Sequence, residues 1–397
     1  MPGAPYDPDR HPATRDRLEI VVQRAHSDGT GATPAGPPLL TGFTIAVVSH
    51  RRRHTLADLL ERHGARIVSV QGVRAVPQPD LAAVGRATTA VLDGPVDDVI
   101  IASAAGLRAW LSAAPEPARL LDVLRTARLL AADARAADAL RAAGLRDVMS
   151  TAAGSASQLY RYLLTHAPAG RRVAAQLDTP DQAEACGSLR LAGADVVEVP
   201  TYVTQPPNDV LGVRRVVELM SRQQLDAVAW LDPVGAEHVL RFAAGHGRLP
   251  GVVAQLGAHI PVLCYGPLAA AALRGHGVEA AVPSVPFDEE SAALLARAVL
   301  DRAVHATVDG LPLEVRGDAA VVDGRLYPVQ RGPIDVLRAL ARTPDRVLSS
   351  ADIRLLVPGL ADADGHAIEM AVSRLRRAVP GHSLVQTVIK HGYRLTV

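Results

Sequence analysis

A repeated unit of a short β-branched run, an amphipathic helix and a glycine is the feature of this sequence that most limits its fold. Glycine supplies the left-handed conformation that closes a helix at its C-terminus, and here a new apolar run follows at once. These junctions are His63-Gly64-Ala65, Ala143-Gly144-Leu145, Ala192-Gly193-Ala194 and His276-Gly277-Val278. The alternation predicts parallel sheets joined by crossover helices, that is, an α/β fold.

Eight β-branched or apolar runs between residues 44 and 265 are the strand candidates of this α/β region. They are Thr44–Val48, Arg66–Val70, Asp98–Ala102, Arg128–Ala131, Arg172–Gln176, Asp195–Thr201, Ala227–Leu231 and Val262–Tyr265. Their spacing is compatible with two similar halves, although periodicity does not give the order of the strands. At 397 residues the chain exceeds what one hydrophobic core usually organises, so two or three folding units are expected.

The first 38 residues are rich in Pro, Gly, Arg, Asp and His and lack a sustained apolar period. Such a segment cannot bury enough apolar surface to offset the entropy of ordering, so residues 1–38 are predicted to be a disordered tail. A basic arm that touches DNA or a partner is the alternative. No apolar targeting segment and no stretch of about 18 uncharged apolar residues occur, which indicates a cytoplasmic protein with no membrane partner.

The two cysteines, Cys186 and Cys264, are far apart in the sequence. Neither has His or Cys neighbours at the spacing of metal ligands. Two reduced thiols are therefore expected, with neither a disulfide framework nor a metal site.

The composition changes near residue 304, and turn signals such as Asp323-Gly324 separate short strands and helices from there on. The predicted strands are Leu313–Val315, Ala319–Val322 and Leu326–Val329; the helices are Ile334–Arg342, Ser350–Leu356 and His366–Val379; the last hairpin is Leu384–Ile389 and Tyr393–Val397. A small sheet, three helices and a final hairpin make a winged helix-turn-helix, predicted for residues 304–397.

The helix His366–Val379 has one apolar stripe and one basic face. The stripe follows from spacings of four, three and four between Ile368, Val372, Leu375 and Val379. The residues that project away from it are His366, Met370, Ser373, Arg374 and Arg377, with Arg376 on one flank. Because a guanidinium can pair bidentately with guanine or phosphate, Arg374 and Arg377 are predicted to contact bases and Arg376 the DNA backbone. Ser373 could serve either; a solvated arginine face is the alternative.

From Leu313 to the C-terminus the chain resembles the effector domain of OmpR-type response regulators. The matching segments are Arg346-Val347-Leu348-Ser349, Ser373-Arg374-Leu375-Arg376-Arg377, Thr387-Val388 and His391-Gly392-Tyr393-Arg394-Leu395. The resemblance implies a recognition helix in the major groove of double-stranded DNA and a wing on the phosphates. It assigns Lys390 and Arg394 to phosphate, and Tyr393 to packing the wing against the helix. The usual Thr-x-x-Glu start of the first helix is Gln330-Arg331-Gly332-Pro333 here, which loses the capping box.

From Gly42 to about Leu300 the chain resembles uroporphyrinogen-III synthase, a family of two flavodoxin-like lobes joined by a pair of extended linkers. The matching segments are residues 40–51, 100–107, 195–202, 230–235 and 264–273. The resemblance implies a bilobal domain over 39–303, followed by the winged helix. Lobe one would hold about 42–76 and 204–300, lobe two about 77–203, and the ligand cleft would lie between them.

The family reaction cyclises hydroxymethylbilane, a linear tetrapyrrole with eight carboxylates, and needs no metal or cofactor. By resemblance Tyr202 is the candidate acid and a ligand residue. The other five predicted ligand residues stand at strand-to-helix turns of the cleft: Arg51, Ser103, Gly106, Asp232 and Gly266. The alternatives are packing for Tyr202, and helix capping or a surface position for the residues at the turns. Two turns that commonly carry hydroxyl groups in the family are changed, to Asp232-Pro233-Val234-Gly235 and Gly266-Pro267-Leu268-Ala269. The carboxylate of Asp232 would repel an anionic substrate.

Two interpretations of the function stay open. The first is a DNA-binding transcriptional regulator whose synthase-like domain senses a small anionic or tetrapyrrole ligand, binds a partner, or is a structural relic. This architecture is similar to that of actinobacterial regulators of nitrate and nitrite assimilation. The expected partner is promoter DNA, and self-association or a second transcription factor is a further partner that stays open. The second is a bifunctional uroporphyrinogen-III synthase that also binds DNA.

Overall fold

A computed structural model describes residues 37–51, 54–150, 156–284, 287–344 and 346–396. Residues 1–36, which are most of the predicted tail, lie outside this part of the chain, so their disorder stays a prediction. The strands are β1 (Thr44–Ser49), β2 (Arg66–Gln71), β3 (Arg74–Pro77), β4 (Asp98–Ile101), β5 (Arg128–Ala131), β6 (Val148–Ser150), β7 (Arg172–Leu177), β8 (Asp195–Pro200), β9 (Tyr202–Gln205), β10 (Ala227–Trp230), β11 (Val262–Cys264), β12 (Val304–Val308), β13 (Leu311–Val315), β14 (Ala319–Val322), β15 (Arg325–Pro328), β16 (Val385–Val388) and β17 (Gly392–Leu395).

The helices alternate with the strands through the first three-quarters of the chain. They are α1 (Thr55–Arg62), α2 (Leu81–Leu92), α3 (Ala104–Ala113), α4 (Pro117–Thr126), α5 (Ala134–Ala142), α6 (Ala156–Thr165), α7 (Pro180–Leu191), α8 (Val210–Ser221), α9 (Pro233–Gly245), α10 (Leu249–Gln255), α11 (Pro267–Arg274), α12 (Asp288–Leu300), α13 (Arg331–Ala341), α14 (Ser350–Leu356) and α15 (Gly365–Ala378). Among the described ranges, no helix is long and apolar enough to cross a membrane.

Lobe one is built on a parallel sheet in the order β11-β10-β1-β2. Every residue of β1 is buried because helices cover both faces of the sheet, with one apolar cluster around Trp230 and another around Ile45 and Leu263. The order reverses between β1 and β10. Parallel sheets bind ligands at the carboxyl ends of the strands where such a reversal occurs.

Lobe two is a five-stranded parallel sheet in the order β6-β5-β4-β7-β8. Its two faces carry one apolar cluster around Trp110 and another around Tyr160. Here the reversal lies between β4 and β7. The two segments that connect the lobes pair as an antiparallel ladder of β3 and β9, from Arg74 opposite Gln205 to Pro77 opposite Tyr202.

The C-terminal part has an antiparallel sheet in the order β12-β13-β14-β15, helices α13 to α15, and the hairpin of β16 and β17. One apolar core joins them, with Leu337, Leu340 and Leu375 fully buried. These observations confirm the predicted fold class, parallel α/β lobes followed by a winged helix.

The winged-helix domain rests on the edge of lobe one opposite its cleft. Both carboxylate oxygens of Asp226, which precedes β10, lie 3.0 Å from the Nη2 atom of Arg331 at the start of α13. Asp226 also accepts a hydrogen bond from the backbone N–H of Thr44 at 2.7 Å. The turn between β13 and β14 adds a bond from the Asp318 N–H to the Gly42 carbonyl at 2.8 Å. Charge-assisted and backbone bonds thus fix this docking.

Candidate DNA-binding surface and interlobe cleft

Helix α15 begins at a capped N-terminus and packs by its apolar stripe. Asp364 Oδ1 accepts a hydrogen bond from the Ala367 N–H at 2.8 Å, which satisfies one of the free donors of the first turn. Ile368, Val372 and Leu375 are buried in the core of the domain. This packing fixes which side of the helix faces outward.

The outward face of α15 exposes every residue that the sequence placed there. These residues are His366, Met370, Ser373, Arg374 and Arg377. Within the described residues, Arg374 and Arg377 have no ion pair or hydrogen-bond partner for their side chains. His366 lies 3.8 Å from a carboxylate oxygen of Glu369, between its Nδ1 and Oε2 atoms. Two unpaired guanidinium groups on one helical face can each reach a base edge or phosphate.

Arg376 is placed differently from its two neighbours. Its Nη2 atom donates to the Val385 carbonyl at 2.8 Å and to Thr387 Oγ1 at 2.9 Å, both on strand β16. The Arg376 side chain therefore holds the wing against α15. A contact of Arg376 with the DNA backbone stays a prediction, and it would have to share this guanidinium.

The wing is the hairpin of β16 and β17. It is held in place by β17, and its positive charge lies at the turn between the two strands. The N–H and carbonyl of Tyr393 pair with Leu348 at 2.9 and 2.8 Å, while the Tyr393 ring packs against the domain core. A Cβ on Gly392 would collide with the Leu348 carbonyl, so this close approach requires glycine. Lys390 is exposed at the turn, and Arg394 donates to Gln386 Oε1 at 2.7 Å.

The interlobe cleft is a cavity of about 450 Å³ between the strand ends of the two lobes. Arg51, His54, Tyr265 and Asp288 line it from lobe one. From lobe two the lining includes Ser103, Asp178, Thr179 and Asp181. The cavity thus lies at the carboxyl ends of β1, β4 and β7, where the strand orders reverse. Of the six predicted ligand residues, Arg51 and Ser103 line it.

Asp181 stands between two histidines of lobe one. Its Oδ1 is 3.5 Å from His50 Nδ1, and its Oδ2 is 4.0 Å from His54 Nε2. Burial tends to raise the pKa of Asp181, but His54 and His50 outweigh it and hold that pKa well below its usual value. His54 also lies 3.5 Å from Asp288, between its Nδ1 and the carboxylate Oδ1.

The pKa values of the two histidines are shifted in opposite directions. Burial lowers the pKa of His50 to about 4, so its ring is neutral at pH 7. Burial also tends to lower the pKa of His54, but the neighbouring carboxylates of Asp181 and Asp288 raise it. His54 thus lies between two carboxylates, one from each lobe, and its Nδ1 accepts a hydrogen bond from the Leu56 N–H at 3.2 Å.

A second contact between the lobes places a carboxylate of lobe two on a helix N-terminus of lobe one. Glu184 of α7 is fully buried, and it accepts hydrogen bonds from the N–H groups of Leu268 and Ala269 at 2.8 and 2.7 Å. Gly266 leaves the room for this, since a Cβ there would be 2.6 Å from Glu184 Oε2. The protein's own carboxylate thus occupies an anion site at the start of α11.

The remaining predicted ligand residues lie outside the cavity lining. Asp232 is buried and caps α9, accepting from the Gly235 N–H at 2.6 Å; burial raises its pKa to about 7. Gly106 is buried in the first turn of α3, where a side chain would collide with Gln176. Tyr202 is half-buried on β9 beside the core of lobe two, and burial, then the charge of Glu198, raises its pKa well above the usual value.

Sequence reasoning missed Gln176, Asp181 and Glu184. Gln176 Oε1 accepts from the Ala102 N–H at 2.9 Å and its Nε2 donates to Asp178 at 2.7 Å, which fixes the strand ends around the cleft. A sequence pattern did point to Asp181, since Asp178-Thr179-Pro180-Asp181 follows a buried strand and begins a helix.

Neither cysteine adds chemistry to the cleft. Both thiols are free and buried, Cys186 in lobe two and Cys264 in lobe one, and burial raises the pKa of Cys186 to about 12. Over the described residues, no group of three or more His, Cys, Asp or Glu side chains is arranged to hold a metal ion.

Comparisons with known proteins divide the chain in the same two parts. The family model of uroporphyrinogen-III synthase HemD matches residues 54–293, and that of the C-terminal domain of transcriptional regulatory proteins matches residues 326–395. No curated protein matches the chain.

Similar solved structures include a wild-type uroporphyrinogen III synthase of Thermus thermophilus, 25% identical, covering 66% of this chain and 99% of its own with a TM-score of 0.34. The uroporphyrinogen-III synthetase of Helicobacter pylori is 11% identical; the match covers 64% of this chain and 97% of the synthetase, with a TM-score of 0.29. The DNA-binding domain of CpxR from E. coli is 31% identical, with 23% and 95% covered and a TM-score of 0.20. Because the HemD model spans more than half of the chain, the protein belongs to the uroporphyrinogen-III synthase family and carries a C-terminal DNA-binding domain of the OmpR type.

Proposed function

We propose that this protein is a cytoplasmic transcriptional regulator that binds promoter DNA through α15 and the wing, and whose synthase-like domain is not a working synthase. The observation that carries the proposal is the pair of exposed, unpaired guanidinium groups of Arg374 and Arg377 beside a wing that ends in Lys390. Both arginines belong to a helix whose N-terminus is capped by Asp364. Such a surface suits the major groove and its phosphates.

DNA binding is tested with the full chain and a fragment selected from genomic DNA of its source. Arg374→Ala or Arg377→Ala should weaken specific binding by about 1 to 3 kcal/mol where the residue contacts a base. Arg325→Ala is the matched control, because Arg325 is an exposed arginine on β15, on the sheet of the same domain. Unchanged affinity in both helix variants would refute the assignment of this surface.

The charge of the cleft supports a non-catalytic role for the synthase-like domain. Asp58, Asp178, Asp181 and Asp288 line the cavity, and Glu184 already fills the helix N-terminus nearby. Each carboxylate would repel a substrate carboxylate by about 1 kcal/mol at 4 Å in bulk water, and by more where solvent is excluded. An octacarboxylate would meet this repulsion several times over.

The alternative, a bifunctional synthase, is tested with hydroxymethylbilane and the purified protein. We expect no uroporphyrinogen III above the spontaneous background. Substantial turnover that is abolished by Tyr202→Phe, with DNA binding intact, would establish the enzyme and exclude the regulator-only function.

A sensing role for the cleft and a role in nitrate and nitrite assimilation are supported by the family resemblance. A ligand acts as a signal only if it binds two states of the protein with different affinity. The test is to titrate tetrapyrroles and nitrogen metabolites into the protein while measuring its affinity for the selected fragment. A signal would shift that affinity; no shift with any compound would leave the domain without a sensing role.

A further inference from the structure

A second cavity, of about 790 Å³, lies between lobe one and the winged-helix domain, away from the interlobe cleft. We call it the junction pocket; lobe one lines it with the segments 221–226 and 255–260 and with Arg302, and the winged-helix domain lines it mainly with residues 331–343. A volume of this size is typical of small-molecule sites. The pocket exists only because the two domains are joined.

Positive charge dominates the lining, with six arginines and two aspartates. Three of the arginines are neutralised within the protein. Arg331 pairs with Asp226, Arg338 with Asp335, and Arg316 with Glu314 next to the pocket. Only the first of these pairs joins the two domains, and all three leave their arginines with little charge for a ligand to contact.

The other three arginines, Arg222, Arg302 and Arg342, have no ion pair among the residues that the structure describes. Arg302 makes only long contacts of 3.4 Å with the carbonyls of Gly257 and Ala258. Arg302 follows α12 of lobe one and Arg342 follows α13 of the winged-helix domain, and both line the pocket from opposite sides of the domain boundary. Partial burial and then the charge of Arg342 lower the pKa of Arg302, and burial and then Arg338 lower that of Arg342.

Like charges that face each other across a docked interface work against the docking unless an anion lies between them. We propose that the junction pocket binds a small molecule with two or more phosphate or carboxylate groups, which bridges Arg302 of lobe one and Arg342 of the winged-helix domain. The bound anion strengthens the docking of the DNA-binding domain. A concave site closed by lobe one does not admit a DNA duplex, so a small polyanion is the occupant that fits.

The test is calorimetric titration of the full chain with pyrophosphate and, separately, with citrate, which distinguishes phosphate from carboxylate recognition. Binding of at least one anion is expected, with Arg302→Gln and Arg342→Gln each weakening it by roughly tenfold, the loss of one charge-assisted contact. Arg214→Gln is the matched control, because Arg214 is exposed on α8, has no ion pair in the described structure and lies outside the pocket. The bound anion should also raise the melting temperature of the wild type but not of the double variant.

Three results would overturn the proposal. The first is no binding of either anion at millimolar concentration by a folded wild type. The second is an equal loss in Arg214→Gln, which would indicate general attraction to a basic surface. The third is that both pocket variants keep anion binding and instead reduce the salt dependence of DNA binding, which would assign these arginines to DNA phosphates.

Discussion

Replacing Glu184 by glutamine tests whether the buried negative charge of Glu184 lowers the free energy of unfolding. Burial raises the pKa of Glu184 to about 7, against the two backbone hydrogen bonds that lower it, and Asp232 adds to the increase. A carboxyl whose pKa is raised in the folded state binds its proton at a higher pH in the folded protein than in the unfolded chain. The free energy of unfolding must therefore fall as the pH rises from about 4.5 to about 7.

The expected size follows from that interval. One group contributes at most about 1.4 kcal/mol per pH unit, so ionised Glu184 costs of order 3 kcal/mol above pH 7 relative to pH 4.5. Glutamine has the shape of the acid and does not ionise, but its amide nitrogen cannot accept one of the two backbone N–H bonds, which costs about 1 to 3 kcal/mol at every pH. Between pH 5 and pH 8 the free energy of unfolding of Glu184→Gln should therefore rise by about 2 to 3 kcal/mol relative to that of the wild type, while Asp232 keeps part of the pH dependence in both proteins.

Urea unfolding followed by tryptophan fluorescence gives this quantity for the synthase-like domain alone. Trp110 is buried in lobe two and Trp230 in lobe one, and they are the two tryptophans of the sequence. Glu61→Gln is the control, because Glu61 is exposed on α1. If Glu184→Gln is less stable at pH 8 and keeps the pH dependence of the wild type, the carboxylate is stabilised by the helix N-terminus and the reasoning is wrong.

Further predictions concern the wing and the domain junction. Lys390 is the only lysine of the sequence, so an amine-acylating reagent should modify it in the free protein and be blocked by bound DNA; equal labelling with DNA present would contradict the phosphate contact. Arg376→Ala should raise amide exchange in β16 as expected for a loss of about 1 kcal/mol, with Arg374→Ala as the control; unchanged exchange would show that Arg376 does not hold the wing. Asp226→Asn leaves Arg331 half-buried without its partner, so it should cost about 2 to 3 kcal/mol and expose the turn 316–318 to exchange; protection equal to wild type would show that other contacts hold the domains.

The sequence was sufficient for the elements whose pattern is local. All eight predicted strands of the α/β region are present, because a buried parallel strand is a continuous apolar run between glycine-capped helices. The face of α15 also followed from its stripe, since burial of Ile368 and Leu375 decides what points outward. β3, β6, β9 and β12 were not predicted. The first three are only three or four residues long, and β3 and β9 pair with each other across more than a hundred residues.

The cleft could be predicted only in part because its contacts join distant segments. Glu184 sits in the middle of a helix and has no special sequence neighbour, yet it binds residues 84 and 85 positions away. Arg376 belongs to a motif that implies DNA contact, but its position next to β16 depends on how the wing folds back. Ser103 was identified from the family resemblance; it lines the cleft and also caps α3, as the alternative interpretation had it.

The sheet of lobe one joins the two ends of the proposed regulator. Asp226, which holds the winged-helix domain, precedes β10, and Asp232 follows β10 at the opposite end of the sheet. Likewise Thr44, which donates to Asp226, begins β1, and Arg51, which lines the cleft, follows it. A buried parallel sheet is stiff, so a change at the cleft does not travel along these strands as a deformation. We expect lobe one and the docked domain to move together instead, with lobe two moving against them about the β3–β9 ladder. A cleft ligand would therefore act by repositioning lobe two beside the DNA, while an anion in the junction pocket would act on the docking itself.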